Sequence, residues 1–422
     1  MKLLIKHTIL NNNLVDLLIE NGVITSIAPE IMEDDAQIFD AKHHTILPGL
    51  VDVHVHFRDP GLTYKETIAT GSKAAAHGGF TSVLAMPNVR PAIDNPKVLK
   101  EQLERNKKKS LINIYQFAAI SSNLIAYKTA DIEKMAKLGA IGFTNDGHGV
   151  QDAETMYQAM LQAKLVNKPI SAHVEDDSLI NGGVMNAGSA ADKLGLPGMN
   201  PLSEASQLAR DLVLAKASGV HYHVAHISTK ESVDLLRIAK KEGVNVTAEV
   251  SPHHLLLDDE MIEMDNPMMK MNPPLRTPTD RKALIGGLLD GTIDMIATDH
   301  APHSEKEKSG SMLTSSFGIV GLETAFSLIY THFVKSGLVD MQTLINWMSN
   351  NPAQKFNMNA GVIKVGAPAD LTIMDLVHPY KIDAKNFLSK GKNSPFIGEK
   401  VYGKTMATFV AGKLVYQNGG NY

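Results

Sequence analysis

The sequence predicts an α/β fold: a (β/α)8 TIM-type barrel carrying a small β-sandwich formed by both chain ends. Three observations carry that expectation. Between residues 51 and 360, apolar runs of strand length alternate eight times with amphipathic stretches of helix length, as parallel strands joined by crossover helices do. The two ends have strand texture broken by turn residues instead. A chain of 422 residues exceeds one small core but suits a large barrel with an appendage. The expected division is 1–50 and 361–422 for the two parts of the sandwich, and 51–360 for the barrel.

In chain order, Leu14 to Glu20 reads as a strand that turns at Asn21-Gly22, a strong hairpin signal, into Val23 to Ile27. Phe39 begins another short strand. The eight barrel strands are expected at 45–57, 81–87, 112–120, 140–146, 169–175, 221–228, 245–251 and 293–299. Helices are expected at 65–77, 96–107, 129–138, 153–166, 203–218, 229–241 and 279–290, with 320–335 and 340–350 closing the barrel. Asp152 and Thr229 stand where N-caps belong, each with an oxygen able to accept from the first turn. After residue 360, Ala369 to Met374, Val401-Tyr402, Thr405 to Val410 and Lys413 to Tyr416 read as strands again.

Composition narrows the function classes. A formal net charge of −4 lacks the basic excess that non-specific nucleic-acid binding requires. The absence of cysteine excludes disulfides and thiolate metal sites, and fits a reducing, cytoplasmic setting. The start, Met1-Lys2-Leu3-Leu4-Ile5-Lys6, is not read as a signal peptide, and no apolar run approaches the roughly 18 residues of a membrane span.

Chemistry in a parallel barrel sits at the C-terminal strand ends. Reading those ends collects His54 and His56 from strand one, Asn88 from two, Asp146 from four, His173 from five, His226 from six and Asp299 from eight. His54 and His56 are two apart, so they share a face of their strand and can offer neutral ring nitrogens to one borderline metal such as zinc. A lone H-x-H pair is more often a solvated or structural pair. Four histidines and two carboxylates at one mouth are not, and they exceed the ligand set of one tetrahedral ion. The expected arrangement is two zinc ions: His54, His56 and Asp299 on the first, His173 and His226 on the second, with Asp146 and a hydroxide shared. A single ion remains the alternative. Arg58 stands four residues past His54, where a guanidinium suits a carboxylate. Asn272, beside the rigid Pro273-Pro274, can both donate and accept.

These motifs resemble dihydroorotases of the bacterial class I type, within the amidohydrolase superfamily. The likeness rests on His54 through Gly61, Met86-Pro87-Asn88, Lys270 through Arg276, Ala297 through His303, and Phe317-Gly318, and it spans nearly the whole chain. It implies interconversion of (S)-dihydroorotate and N-carbamoyl-L-aspartate in pyrimidine synthesis. It also implies that Arg58 and Asn88 hold the substrate carboxylate, with Asn272, His303, Phe317 and Gly318 contacting the substrate. A homodimer and an association with aspartate carbamoyltransferase are the partner expectations. Three positions depart from the pattern. Strand four has no lysine to be carboxylated as a metal bridge, Asp59 stands where glutamate is expected, and Asn145 where aspartate is expected.

The expected mechanism has hydroxide attacking the ring amide carbonyl, with Asp299 moving its proton to the leaving nitrogen. The segment 304–316, rich in Ser, Lys, Glu and Gly, is expected to be a mobile cover over the mouth. Gly398 to Thr405 fits the P-loop expression G-x-x-x-x-G-K-T, but a strand and not a helix should follow it, so it is set aside. His221 and His223 have the opposite face parity to His226 and are expected to point at the helices. One of His253 and His254 is a candidate for the pocket wall, and His148 is taken as a loop histidine. The rival functions are a hydantoinase or allantoinase, which needs no carboxylate clamp, and a catalytically inactive scaffold, which would not keep all six ligands.

Overall fold

The computed structural model describes residues 2–420. Its barrel strands Leu50–Val55, Phe80–Ala85 and Asn113–Gln116 pair in parallel in that order, and Ile170–Ala172, Tyr222–Val224, Val246–Val250 and Met295–Ile296 form a second parallel run. The expected fourth strand is short, yet its backbone serves both neighbours. Ile141 N donates to Gln116 O (3.0 Å), Thr144 N to Ala118 O (2.9 Å) and Phe143 N to Pro169 O (3.0 Å). Parallel pairing of Val55 with His300 completes the ring. Buried Asp52 fastens this seam, accepting from Thr298 Oγ1 at 2.6 Å.

Val53, Leu84, Phe117, Met295 and Ala297 fill the barrel, and Phe356 closes its lower end edge-on to Phe117. The large outer core lies between strands and helices, as amphipathic crossover helices require. Helix starts follow their caps: Asp152 accepts from Thr155 N before helix Ala153–Leu165, and Thr229 from Ser232 N before Lys230–Lys241. The closing helices at 320–335 and 340–350 are shorter than expected, Ala325–Ile329 and Met341–Ile345, each running on into a wider-wound turn.

The chain ends share one sheet of eight strands. Leu371–Asp375 pairs with Thr45–Pro48 on one side and Lys404–Val410 on the other. The sheet folds over on itself around Leu17, Ile19, Ile373 and Phe409, and Phe39 meets Phe409 edge to face at 5.1 Å. The sandwich is therefore one curled sheet and not two separate ones. At the hairpin, Asn21 and Gly22 both adopt positive φ (51° and 84°), which the two-residue turn demands. Lys404–Val410 is a strand, so Gly398 to Thr405 opens no helix and cradles no phosphate.

Candidate active site

Three strand ends break extended geometry to form the mouth: Arg58, His226 and Asp299 all have positive φ, at 56°, 30° and 46°. Such conformations cost free energy in non-glycine residues and persist where surrounding contacts enforce them. The pairing register also shifts between Asp52 and Val55, and this bulge lets Val53 face the barrel interior while His54 faces the mouth.

The expected ligands converge. His54 Nε2 lies 3.2 Å from Asp146 Oδ1 and 3.4 Å from Asp299 Oδ1, and His56 Nε2 lies 3.0 Å from Asp299 Oδ1 and 3.4 Å from Asp146 Oδ2. Two overlapping sets have ligand atoms within 4.8 Å of one another: His54, His56 and Asp299, and His54, Asp146 and His226. His173 reaches the second set through His226, its Nδ1 lying 3.0 Å from His226 Nε2. All six residues are buried.

The donors fit a metal. His54 Nε2, Asp146 Oδ1 and His173 Nε2 are buried without a hydrogen-bond partner, an expensive arrangement unless a cation takes their lone pairs. Nitrogen and oxygen donors without sulfur suit zinc in a hydrolytic site. Burial would raise the Asp146 and Asp299 carboxyls, but the surrounding rings, His54 foremost, hold both well below the usual carboxylate range. Burial would lower His54, yet Asp146, Glu249 and Asp299 raise it well above an ordinary imidazole. Three buried carboxylates around one ring amount to a demand for positive charge.

Outer residues orient the ligands. His54 Nδ1–H donates to Glu249 Oε1 (2.7 Å), leaving Nε2 for the mouth. Asn88 Oδ1 lies 2.9 Å from His56 Nδ1, and Asn88 Nδ2 donates to Asp146 Oδ2 (3.3 Å). Asn88 thus lines the mouth while also fixing two expected ligands. Glu175, not singled out from the sequence, lies 3.6 Å from His173 Nε2 and accepts from Asn272 Nδ2 at 2.8 Å. Glu249 was missed too, although an acid inside the apolar run 245–251 was a signal.

A pocket of about 340 Å³ opens on the cluster, and Arg58, Asn88, Asn272, His303, Phe317 and Gly318 all line it. Arg58 is buried, and its contacts are long and neutral: Nε donates to Pro302 O at 3.4 Å and Nη2 to His303 Nε2 at 3.5 Å. It has no ion-pair partner among the described residues. Burial, with Arg58 and Lys65 adding to it, pushes His303 down to about 2, so its ring is neutral. Gly318 has φ 139°, and a Cβ there would come within 2.8 Å of the Ala301 side chain, so glycine keeps this wall close.

Three expectations need correction. His221 and His223 face the barrel interior and not the helices. His223 Nε2–H donates to Glu249 Oε2 (3.0 Å), and both rings pack on Phe356. The parity argument counted back from His226, whose left-handed backbone puts it out of phase with its own strand. Neither His253 nor His254 lines the mouth; His254 is buried between Ser251 Oγ (2.7 Å) and Pro273 O (2.9 Å). The segment 304–316 is tied down: Lys308 Nζ donates to Lys270 O (3.1 Å) and Ser316 O (3.0 Å), and Lys270 Nζ to Ser315 O (2.6 Å). It forms a fixed wall. The departures at 59 and 145 have local partners: Asp59 pairs with Lys109 at 2.9 Å, and Asn145 accepts from Ile120 N at 3.0 Å.

With that geometry in hand, the relatives agree. The Dihydro-orotase-like family model matches residues 43–232. Proteins named dihydroorotase from Pediococcus pentosaceus and Lactiplantibacillus plantarum are each 56% identical; the first match covers 96% of both chains, the second 95% of this chain and 94% of the relative. Among solved structures, the L-hydantoinase (dihydropyrimidinase) of Arthrobacter aurescens superposes with a TM-score of 0.88 at 26% identity, covering 99% of this chain and 96% of that one. The chain belongs to the dihydroorotase family of amidohydrolases.

Proposed function

We propose that this chain interconverts (S)-dihydroorotate and N-carbamoyl-L-aspartate, as a zinc-dependent step of pyrimidine synthesis. One observation carries the reading beyond a generic cyclic amidase: a buried guanidinium, with no ion-pair partner among the described residues, stands in the same pocket as the His/Asp cluster. An unpaired buried charge is costly, so Arg58 is built for an anion that arrives with the substrate. A hydantoin or dihydropyrimidine ring without a carboxylate gives it nothing to bind, which sets this pocket apart from a hydantoinase.

His54, His56 and Asp299 would hold one ion, His173 and His226 the other, and Asp146 both. Zinc held there would polarise a carbonyl and lower the pKa of a water to about 7. Arg58 binds the ring carboxylate and so orients the ring, while Asn272 and neutral His303 offer hydrogen bonds to its polar edge. Asp299, ionised in the resting site, accepts the proton of the attacking water on a carboxylate oxygen and returns it to the ring nitrogen as the amide bond breaks. In the reverse direction it takes that proton from the ureide nitrogen as the ring closes. The Arg58 side and the cluster side of the pocket thus divide binding from proton transfer.

Metal content and dihydroorotate turnover, measured together on protein purified without chelator, test this. About two zincs per chain, with turnover lost in both Asp146→Ala and Asp299→Asn while Asp299→Asn keeps its metal, is the expected outcome. Substantial turnover in metal-replete Asp299→Asn removes it as the proton carrier. One zinc with full activity returns His173, His226 and Asp146 to substrate or structural roles.

A further inference from the structure

At the opposite end of the barrel from the metal cluster, a depression of about 580 Å³ opens where strands begin. Its walls carry Lys164, Lys168, Lys355 and His221, the apolar faces of Phe356 and Pro169, and, among the described residues, no carboxylate side chain. Lys355 reaches Asp294 at 3.5 Å. Lys164 and Lys168 have no ion-pair or side-chain hydrogen-bond partner among the described residues. Lys168 is half-buried, and that burial holds its ammonium below the ordinary lysine value. Side-chain amides of Asn245 and Asn357 add donors around the same space. Unpaired ammonium groups around a concave polar wall, with a ring beneath, make a seat for a small anion.

A second observation joins this depression to the mouth. His221 Nε2–H donates to Thr247 Oγ1 (2.8 Å), Thr247 Oγ1–H to His223 Nδ1 (2.8 Å), and His223 Nε2–H to Glu249 Oε2 (3.0 Å). Glu249 Oε1 accepts from His54 Nδ1 at 2.7 Å. One unbroken chain of hydrogen bonds, each with a consistent donor direction, therefore runs through the barrel from a wall of the depression to an expected metal ligand. Burial keeps its inner members from exchanging these partners for water.

We propose that the depression is an effector site for a small phosphorylated metabolite, and that its occupancy is felt at His54 through His221, Thr247, His223 and Glu249. A phosphate pairs with Lys164 and Lys168, and an organic ring on the same ligand rests on Phe356 and Pro169. A bound phosphate that draws the Nε2–H of His221 away from Thr247 Oγ1 would break the first bond of the chain, and through the chain alter the setting of His54. By linkage, an anion that changes metal affinity must itself bind with changed affinity when metal is present.

Inorganic phosphate and pyrophosphate, titrated at constant ionic strength into the metal-loaded protein by calorimetry, are the probes. Saturable one-site binding is expected, weakened by about tenfold for each lysine removed in Lys164→Ala and Lys168→Ala. Saturating phosphate should also shift the metal's resistance to a competing chelator in the wild type and not in the double variant. Absence of saturable binding overturns the site. Equal binding in wild type and double variant overturns it as well, since phosphate then sits elsewhere. Binding lost in the variant with no phosphate effect on metal retention or turnover overturns the link to His54. The calorimetric reading does not depend on dihydroorotate being the substrate, so the two proposals fail separately.

Discussion

Replacing Arg58 with methionine keeps much of its length and apolar stem and removes the charge. Its guanidinium is buried, its protein partners are two neutral groups at 3.4 and 3.5 Å, and the carboxylates near it are bound up with the histidine cluster. A substrate carboxylate would therefore be its first full counter-charge. Two charge-assisted hydrogen bonds in a desolvated pocket, at ~1.5–3 kcal/mol each, give a loss of about 3–6 kcal/mol. That is roughly 10² to about 10⁴ in kcat/KM for dihydroorotate. The assay compares dihydroorotate with dihydrouracil, the same ring without the carboxylate, on both proteins. Arg58→Met should lose its activity on the first and change little on the second, so the coupling between side chain and carboxylate is read directly. Equal losses on both substrates would refute the argument, because Arg58 would then act on the fold or the cluster. An unchanged KM for dihydroorotate would refute it more simply.

Glu249→Gln leaves the shape at His54 but weakens the acceptor for its Nδ1–H, and should lower metal affinity by about 10–100-fold in chelator competition. Chelation of the wild type should lower Tm as well as activity, and zinc should restore both, because the cluster's buried carboxylates lose their counter-charge. Acid should destabilise the fold through His254, which burial holds at about 4 against 6.5 for an unperturbed histidine. The unfolded chain takes that proton first, so this contribution is whole above pH 6.5 and is lost as pH falls toward 4, at about 1.4 kcal/mol per unit. Urea titrations across that window should show a shallower pH slope in His254→Gln, and an identical slope would show that His254 does not bind the proton on unfolding.

How far the sequence reaches is clearest at the strand ends. Every expected substrate residue lines one pocket, because a barrel carries the ends of its strands to one rim regardless of side-chain detail. Alternation of apolar runs and amphipathic stretches was enough to find those strands. Their lengths were not, since pairing depends on partners distant in sequence: 293–299 was expected and only Met295–Ile296 forms a ladder. Side-chain direction was least legible. Period-two alternation assumes unbroken strand geometry, and here a bulge after Asp52 and positive φ at His226 each reset the count. The pair His221 and His223 was assigned to the wrong face for that reason alone.

The same resets explain why the chemistry concentrates where the periodicity fails. A regular strand points alternate residues into a barrel already filled by Val53, Leu84, Phe117 and Met295, leaving no room for six polar ligands at that level. Only by leaving the extended conformation just past the last ladder bond can the chain aim His226 and Asp299 across the top of that apolar plug. The carboxylates and rings then face each other in a dry site, where their mutual interactions are strong and a bound cation is worth most. Restoring ideal strand geometry at His226 would ease its backbone and return its ring to the helix side with Tyr222 and Val224. The strain is thus the condition for the His/Asp cluster at the mouth, and a sequence rule tuned to regular strands fails first at the residues that build it.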